Sequence, residues 1–171
     1  MIENITRFSA VYTQQEHQLV IDKTLNAKTW QFAGFSNEPN STKFWFLDLG
    51  NDSFFTKFSL DRIQTLTNQE FELDRVYANG QTHGLSGDMH QDVIGGDDSY
   101  KTFLYYVGPT WLPEWGGATV FHDPHKADIF FNYPQPNTGV IFNSNILHQG
   151  QEPTRQCKEL RVTVAWKLKL K

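Results

Sequence analysis

The sequence predicts a mainly β protein of the α+β kind, in which helices come first and a β-sandwich or rolled barrel follows. Its 171 residues include 14 Phe, 6 Tyr and 5 Trp, and such bulky aromatic side chains favour packing between sheets. After residue 70, short runs of β-forming residues alternate with turn clusters such as GGDD and YPQPNTG. Many short strands at this regular spacing are typical of sandwiches and barrels.

The first third of the chain is expected to mix helices with strands. The segment YTQQEHQLVIDKTLNA predicts a helix capped by Thr13, because Glu16 stands three residues later, as a capping box requires. Two aromatic strands and a second helix follow in WQFAGF, KFWFLDL and SFFTKFSLDRIQTLTNQ. We expect the second helix to start at Ser59 and residues 1–70 to buttress the sheet.

Residues 71–171 are expected to form the β core. Strands are predicted in the segments FELDRVYA, YKTFLYYVG, GATVFH, DIFFNY, GVIFNS and ELRVTVAWKLKL. The chain contains no internal repeat, and its Pro and Gly clusters are too short to be domain linkers. A chain of this length has room for a real core, so residues 1–171 are predicted to be a single domain.

Charge and cysteine content limit the classes of partner. The net charge of −4 argues against a nucleic-acid-binding surface, which usually needs a basic face. The chain has one cysteine, Cys157, so an internal disulfide is impossible and a reducing setting is expected. The segment MIENITRFSAVYTQQ is too polar for a signal peptide, and no apolar run approaches the roughly 18 residues of a membrane helix. We therefore expect a cytoplasmic protein with neither nucleic acid nor membrane as a partner.

A candidate metal site begins in the segment GDMHQDVIGG, where His90 and Asp92 stand two residues apart. On an extended strand, residues i and i+2 point to the same face, so both side chains would converge. Such a pair alone is most often an ordinary pair of surface side chains. A third candidate, His148, follows the apolar run GVIFNSNIL. Two imidazoles and one carboxylate are the ligand set that holds non-haem Fe(II) while leaving coordination positions open.

The segment HDPHKAD is the second candidate for a metal site. It offers four potential ligands, His122, Asp123, His125 and Asp128. Its proline and its turn-forming composition predict a loop with solvated side chains. We therefore prefer the set formed by His90, Asp92 and His148.

An arginine opens the last predicted strand. Arg161 stands at the start of the apolar segment RVTVAWKL, and a salt bridge with a nearby carboxylate is the ordinary explanation for such a residue. Alternatively, its planar and permanently charged guanidinium is suited to hold a ligand carboxylate in an apolar pocket. Thr163 and Ala165 share the face of Arg161 and are small enough to leave room for a ligand.

Several motifs follow one another along the second part of the chain. They are a strand ending in Tyr-x-x-Gly (RVYANG), His-x-Asp (HQD), YKTFLYYVGPTW, a Gly-Gly turn with its strand (EWGGATVF), YPQPNTGVIFNSNILHQG and RVTVAW. With these motifs in this order, residues 74–168 resemble the prolyl 4-hydroxylase-like branch of the Fe(II)- and 2-oxoglutarate-dependent oxygenases. Arg161 lies further from His148 than the basic residue of that branch usually does, whereas Lys158 and Arg155 lie nearer.

The resemblance implies a double-stranded β-helix, which is a jelly-roll or cupin-like barrel. It also implies that His90, Asp92 and His148 bind Fe(II), and that Arg161 pairs with the far carboxylate of 2-oxoglutarate. The implied reaction uses O2 to hydroxylate an unactivated C–H bond and releases succinate and CO2. Ascorbate is a further candidate cofactor.

Two hydroxyl groups are additional candidates for the co-substrate site. Tyr106 matches the tyrosine of the family's corresponding strand, and Thr163 shares the face of Arg161. Strand parity does not separate Tyr106 from Tyr105 until the register of the strand is known. Packing in the core is the alternative role of Tyr106.

The resemblance implies a prolyl residue of a peptide or protein as the substrate. The side chains of Tyr77, Trp111 and Trp115 are candidates for an aromatic groove that receives proline, and packing within a loop is the alternative for both tryptophans. A small metabolite stays open as the substrate. A cupin-like module that binds a metal or ligand without turnover and a structural jelly roll also stay open, because fold alone does not decide function.

Overall fold

The computed structural model of the chain describes residues 4–36, 41–95, 97–123 and 128–171. The first part contains β1 (Ile5–Ser9), α1 (Gln14–Leu25), β2 (Gln31–Gly34), β3 (Phe44–Asp48), a π-helical turn (Phe54–Phe58) and α2 (Ser59–Thr67). The second part contains β4 (Phe71–Gln81), β5 (Tyr100–Val107), a 3-10 turn (Pro113–Trp115), β6 (Thr119–Asp123), β7 (Asp128–Asn132), β8 (Thr138–Asn143), β9 (Leu147–Gly150) and β10 (Arg161–Leu170).

The strands form two antiparallel sheets. The larger sheet has the order β1-β8-β5-β10-β4-β3-β2, and the smaller sheet has the order β7-β6-β9. The two sheets pack on each other through apolar side chains, as where Phe121 of β6 meets Phe142 of β8 edge to face with ring centroids 4.8 Å apart. The predicted mainly β architecture with two helices is confirmed.

The N-terminal part of the chain completes the larger sheet. β1 pairs with β8, and β3 extends the sheet beyond β4 and carries β2 at the edge. The helices pack on the outer face of this sheet, where Val20 of α1 and Ile63 of α2 share one apolar core with Trp166 of β10. Residues 1–70 therefore contribute three strands and both helices, whereas their sequence predicted only β2 and β3 among the strands.

Both predicted helices begin at the expected places. Thr13 caps α1, and its side chain and that of Glu16 form the complete capping box. Helix α2 begins at Ser59, but the π-helical turn precedes it, so Ser59 does not cap a free helix end. Its hydroxyl instead donates to the carbonyl of Phe54 at 2.8 Å. Within the described parts of the chain, no helix is long and apolar enough to cross a membrane.

Strand β10 lies at the centre of the larger sheet, between β4 and β5, and separates two environments. Its even-numbered residues from Val162 to Leu168 point into the apolar core beneath the helices. Its odd-numbered residues Arg161, Thr163, Ala165 and Lys167 line a cavity between the sheets. This alternation follows from the period of two in a strand, and it places polar side chains at the centre of the barrel.

Candidate active site

His90 and His148 meet because their backbones are bonded to each other. Each backbone N–H donates to the carbonyl of the other residue at 2.9 Å, in an isolated antiparallel bridge. The backbone N–H of Asp92 donates to Ser144 at 2.9 Å, which fixes the loop against the turn before β9. Residues 90–92 are thus not part of an extended strand. Their backbone bonds to His148 and Ser144, rather than strand parity, bring the side chains of His90 and Asp92 close to that of His148.

The ligating atoms of the three residues converge. His90 Nε2 lies 3.5 Å from Asp92 Oδ1, and His148 Nε2 lies 3.5 Å from Asp92 Oδ2. One ligand atom from each of the three lies within 4.8 Å of the others. The side chains of His148 and Asp92 are 5% and 6% exposed, so the cluster is shielded from water on most sides.

The hydrogen bonds of both imidazoles favour metal binding. Nδ1 of His90 lies 2.8 Å from the carbonyl of Asp88, and Nδ1 of His148 lies 2.9 Å from that of Ile146. A carbonyl only accepts, so Nδ1 carries the proton and the lone pair of Nε2 faces the centre of the cluster. Burial lowers the pKa of His148 to about 4, which keeps it in the neutral form that binds metals. The donor set and its orientation fit a divalent metal ion.

Asp92 lies in a polar network. Thr102 Oγ1 donates to Asp92 Oδ2 at 2.6 Å and lies 3.0 Å from Ser144 Oγ, and the ammonium of Lys167 contacts the same carboxylate oxygen. Burial alone would raise the pKa of Asp92, but the charge of Lys167 and its neighbours hold that pKa well below its usual range. Burial alone would lower the pKa of Lys167, whereas Asp92 raises it. Both groups are therefore charged at neutral pH.

Arg161 lies at the other end of a cavity of about 60 Å³ that also reaches His148 and Lys167. Arg161 is 2% exposed. It donates to Gln81 Oε1 at 2.6 Å, to Thr119 Oγ1 at 3.0 Å and to the carbonyl of Gly117 at 2.5 Å. Burial lowers the pKa of Arg161 to about 10, so it stays charged. These partners are all neutral, and the salt bridge that was the ordinary explanation is not found in the described ranges.

The Gly-Gly turn gives Arg161 its space. Gly117 has a φ of 70°, and a Cβ at this position would lie 3.1 Å from Arg161 Cδ and 3.1 Å from Trp111 Cζ2. Only glycine combines this left-handed backbone with so close an approach. The turn therefore lets a backbone carbonyl bind the guanidinium without filling the cavity.

The register of β5 separates the two adjacent tyrosines. Tyr106 lies opposite Thr163 on β10, and its hydroxyl donates to Thr119 Oγ1 at 2.9 Å. It reaches the cavity through Thr119, whereas Thr163 lines the cavity directly. Tyr105 points into the helix-side core, where its hydroxyl donates to Asn137 Oδ1 at 3.2 Å. Tyr106 is thus on the site face, and its contact with a co-substrate stays a prediction.

A second and wider cavity, of about 680 Å³, opens beside the cluster. It reaches from His90 and Asp92 along β4, β3 and β2, and we call it the groove. The residues that give the groove its aromatic and charged lining are Phe35, Phe44, Phe46, Tyr77, Asp48 and Arg75. Tyr77 lines both cavities, so it stands where they meet.

The other aromatic candidates lie elsewhere. Trp111 and Trp115 pack edge to face on each other with centroids 5.4 Å apart, and Trp111 Nε1 donates to the carbonyl of Gly116 at 2.9 Å. Neither tryptophan is among the residues that line the groove. Their predicted role in substrate binding stays a prediction.

The second candidate metal set is not assembled within the described residues. His122 and Asp123 end β6, Asp128 begins β7, and His125 lies outside the described residues. In the ranges that the structure describes, His90, Asp92 and His148 are the single group of three ligating side chains this close together.

The two basic residues nearer to His148 in sequence, Arg155 and Lys158, are exposed. Arg161 is the guanidinium that lines the cavity next to the cluster.

Sequence reasoning missed several polar residues of the site. Thr102, Thr119 and Lys167 bond to predicted site residues through their side chains, and the backbone carbonyl of Ser144 accepts from the backbone N–H of Asp92. Lys167 offered a signal, because it shares strand parity with Arg161 and Thr163. The other three gave none, because their position depends on contacts between distant parts of the chain.

Comparisons with known proteins agree with this geometry. Residues 75–166 match the 2OG-Fe(II) oxygenase superfamily, which is more than half of the chain. The chain therefore belongs to this superfamily and is a 2-oxoglutarate- and Fe(II)-dependent dioxygenase with a His-x-Asp…His triad. A comparison with curated proteins found no significant match.

Solved structures share the fold at low sequence identity. A prolyl hydroxylase from Trichoplax adhaerens, in complex with a peptide fragment of the hypoxia inducible factor oxygen degradation domain, has a TM-score of 0.73 and 14% identity, over 97% of this chain and 83% of that chain. A Pseudomonas putida prolyl-4-hydroxylase has a TM-score of 0.72 and 12% identity, over 98% and 93%. HygX from Streptomyces hygroscopicus, with nickel and 2-oxoglutarate, has a TM-score of 0.72 and 14% identity, over 97% and 82%. These likenesses confirm the predicted double-stranded β-helix.

Proposed function

We propose that the protein hydroxylates a prolyl residue of a peptide or protein and releases succinate and CO2. The observation that carries this proposal is the placement of the triad between two cavities of different size. The small cavity ends at the buried cation Arg161, which suits a dicarboxylate. The groove is wide and aromatic, which suits proline within an extended chain.

The position of each site residue determines its proposed role. His90, Asp92 and His148 would hold Fe(II), with their Nε2 and carboxylate oxygens directed at one point. The metal, once bound with 2-oxoglutarate and O2, supplies the oxidation of an unactivated C–H bond. Arg161 would bind the far carboxylate of 2-oxoglutarate, because it is a buried, charged guanidinium with neutral partners.

The hydroxyl groups around Arg161 would complete the co-substrate site. Thr163 lines the small cavity directly, and Tyr106 acts on it through Thr119. Tyr77 would contact both co-substrate and substrate, since it lines both cavities beside His90. Closing the small cavity to water strengthens the interaction of Arg161 with a carboxylate, because the surroundings have a low effective dielectric constant.

A small metabolite is the second candidate substrate. The structure of HygX with nickel, 2-oxoglutarate and hygromycin B bound has a TM-score of 0.68 to this chain. In the present protein the groove also carries the charged side chains of Arg75 and Asp48, which suit a polar substrate.

Turnover of a peptide library tests the proposal. The protein is incubated with Fe(II), 2-oxoglutarate, ascorbate and O2, and the peptides are screened by mass spectrometry for the gain of one oxygen atom. We expect the gain on proline-containing peptides, together with an equal amount of succinate. A matched library with alanine in place of each proline and a His90→Ala variant should both give none.

Succinate without any modified peptide would direct the search to small metabolites. Oxygen gain that is equal in the proline and alanine libraries would contradict a prolyl substrate.

A further inference from the structure

Lys167 is a buried cation among the proposed metal ligands, and the reaction described above assigns it no role. Its side chain is 9% exposed, and its ammonium contacts Asp92 Oδ2, the same oxygen that lies 3.5 Å from His148 Nε2. The ammonium also lies 3.4 Å from Thr102 Oγ1 and 5.9 Å from the ring centre of Tyr77. A protonated lysine has no lone pair to offer a metal, so Lys167 acts on the site through its charge.

Without a metal, Lys167 has a clear effect on Asp92. A carboxylate removed from water is costly unless it is paired and hydrogen-bonded. The ammonium of Lys167 and the hydroxyl of Thr102 satisfy Asp92 Oδ2 together. The pair therefore keeps Asp92 ionised and directed between the two histidines while no metal is present.

When a metal binds, the positive charge of Lys167 is unfavourable, because it repels the metal ion. The small cavity contains two cations, Arg161 and Lys167, and one adjacent carboxylate, Asp92. A divalent metal alone would add two positive charges to a buried site that is already positive. A dianionic co-substrate brings two negative charges, so the metal and the dicarboxylate together leave the net charge unchanged.

We propose, on the basis of the iron-binding role proposed for the triad, that Lys167 is a positioning residue that holds Asp92 in the metal-free protein. Because its charge opposes the metal alone, it makes metal binding depend on 2-oxoglutarate. Coupling between two ligands is reciprocal, so the co-substrate should also bind more tightly once the metal is present.

Calorimetric titration with Mn²⁺, a divalent ion stable in air, tests this role without turnover. The dissociation constant for Mn²⁺ is measured with and without 2-oxoglutarate in the wild-type protein and in Lys167→Met. We expect Lys167→Met to bind Mn²⁺ alone roughly tenfold more tightly, because one buried like charge is removed. We also expect 2-oxoglutarate to tighten Mn²⁺ binding less in this variant than in the wild-type protein.

Two further measurements support the titration. Lys169→Met is the matched control, since Lys169 is an exposed lysine two residues further along the same strand, and it should behave as the wild-type protein does. The melting temperature of metal-free Lys167→Met should fall below that of the wild-type protein, because Asp92 loses its partner. Mn²⁺ should raise the melting temperature of the variant more than that of the wild-type protein.

The outcomes separate this proposal from the proposed function. If the wild-type protein binds no Mn²⁺, the metal role of the triad is wrong. If the wild-type protein binds Mn²⁺ and His148→Ala does not, yet Lys167→Met shows unchanged or weaker binding, the proposal for Lys167 alone is overturned.

If Lys167→Met does not fold, the Mn²⁺ titrations are made with Lys167→Gln. If neither neutral variant folds, they are made with Lys167→Arg. The arginine variant keeps the charge and must keep wild-type coupling, and Mn²⁺ binding by it that is independent of 2-oxoglutarate overturns the proposal.

Discussion

The two faces of the larger sheet differ in what they bury. On β10, Val162, Val164 and Trp166 enter an apolar core with the helices, and the indole N–H of Trp166 donates to Phe55 at 2.9 Å. On the opposite face of the same strand, Arg161 and Lys167 are buried with their charges. The first face buries apolar side chains under the helices, whereas the second combines buried charges with a smaller apolar cluster.

The two faces differ in what their buried side chains contribute to stability and to ligand binding. Apolar burial stabilises the fold, with about 25 cal/mol for each Å² removed from water, and it requires no ligand. Buried charges oppose folding unless they are paired, and replacing them with apolar groups often stabilises a protein. Lys167 is paired with Asp92, whereas Arg161 has neutral partners, and a ligand carboxylate is its proposed counter-charge. Substitutions on the core face should lower stability without changing ligand affinity, and substitutions on the site face should change ligand affinity.

The largest expected effect is the loss of Trp166 from the core face. Trp166→Ala should lower the free energy of unfolding by about 3–5 kcal/mol, because it removes a large buried aromatic side chain and leaves a cavity. Denaturant unfolding followed by circular dichroism measures this change. The variant that remains folded should bind 2-oxoglutarate with unchanged affinity. A loss of affinity without a loss of stability would contradict the claim that the core face determines stability and the site face determines ligand binding.

The second effect concerns Arg161 on the site face. Arg161→Ala should raise the Michaelis constant for 2-oxoglutarate roughly 100-fold, since hydrogen bonds to a charged group are worth about 1.5–3 kcal/mol each. Mn²⁺ binding measured by calorimetry should change little, because Arg161 is not a proposed ligand of the metal. An unchanged Michaelis constant would contradict the proposed role of Arg161.

The smallest expected effects are those of replacing the adjacent residues Tyr105 and Tyr106, which lie on opposite faces of β5. Tyr106→Phe should raise the Michaelis constant for 2-oxoglutarate roughly fivefold, because one hydroxyl that orders Thr119 is lost, at about 1 kcal/mol. Tyr105→Phe should leave this constant unchanged and lower the free energy of unfolding by about 1 kcal/mol, through lost bonds in the core. The reverse pattern would contradict the placement of Tyr106 on the site face and of Tyr105 on the core face.

The order of motifs along the sequence predicted much of this molecule. The fold class, both helices and the strands from β2 to β8 and β10 were expected, and the cluster of His90, Asp92 and His148 was expected as well. These features depend on local patterns, such as the capping box of Thr13 and the alternation in β10, or on the resemblance to a family. Strands β1 and β9 were missed because each is short and is defined by its pairing partner.

The polar network around Asp92 was beyond the sequence for a different reason. Lys167 shares strand parity with Arg161 and Thr163, but lysine is almost never fully buried unless it is paired, so parity alone does not indicate its burial. Its burial depends on Asp92, which lies far away in sequence and meets it only once the barrel has closed. Tyr105 and Tyr106 were equivalent until the pairing of β5 with β10 fixed which one faces the site.

The visible absorption spectrum of the protein with Fe(II) and 2-oxoglutarate, recorded without oxygen, tests the central claim most directly. If one iron is held by His90, Asp92 and His148 and is chelated by 2-oxoglutarate, a weak charge-transfer band should grow until one iron is bound per chain. The band should be absent from a folded His148→Ala variant. A band of equal strength in that variant, or none in the folded wild-type protein, would contradict the account.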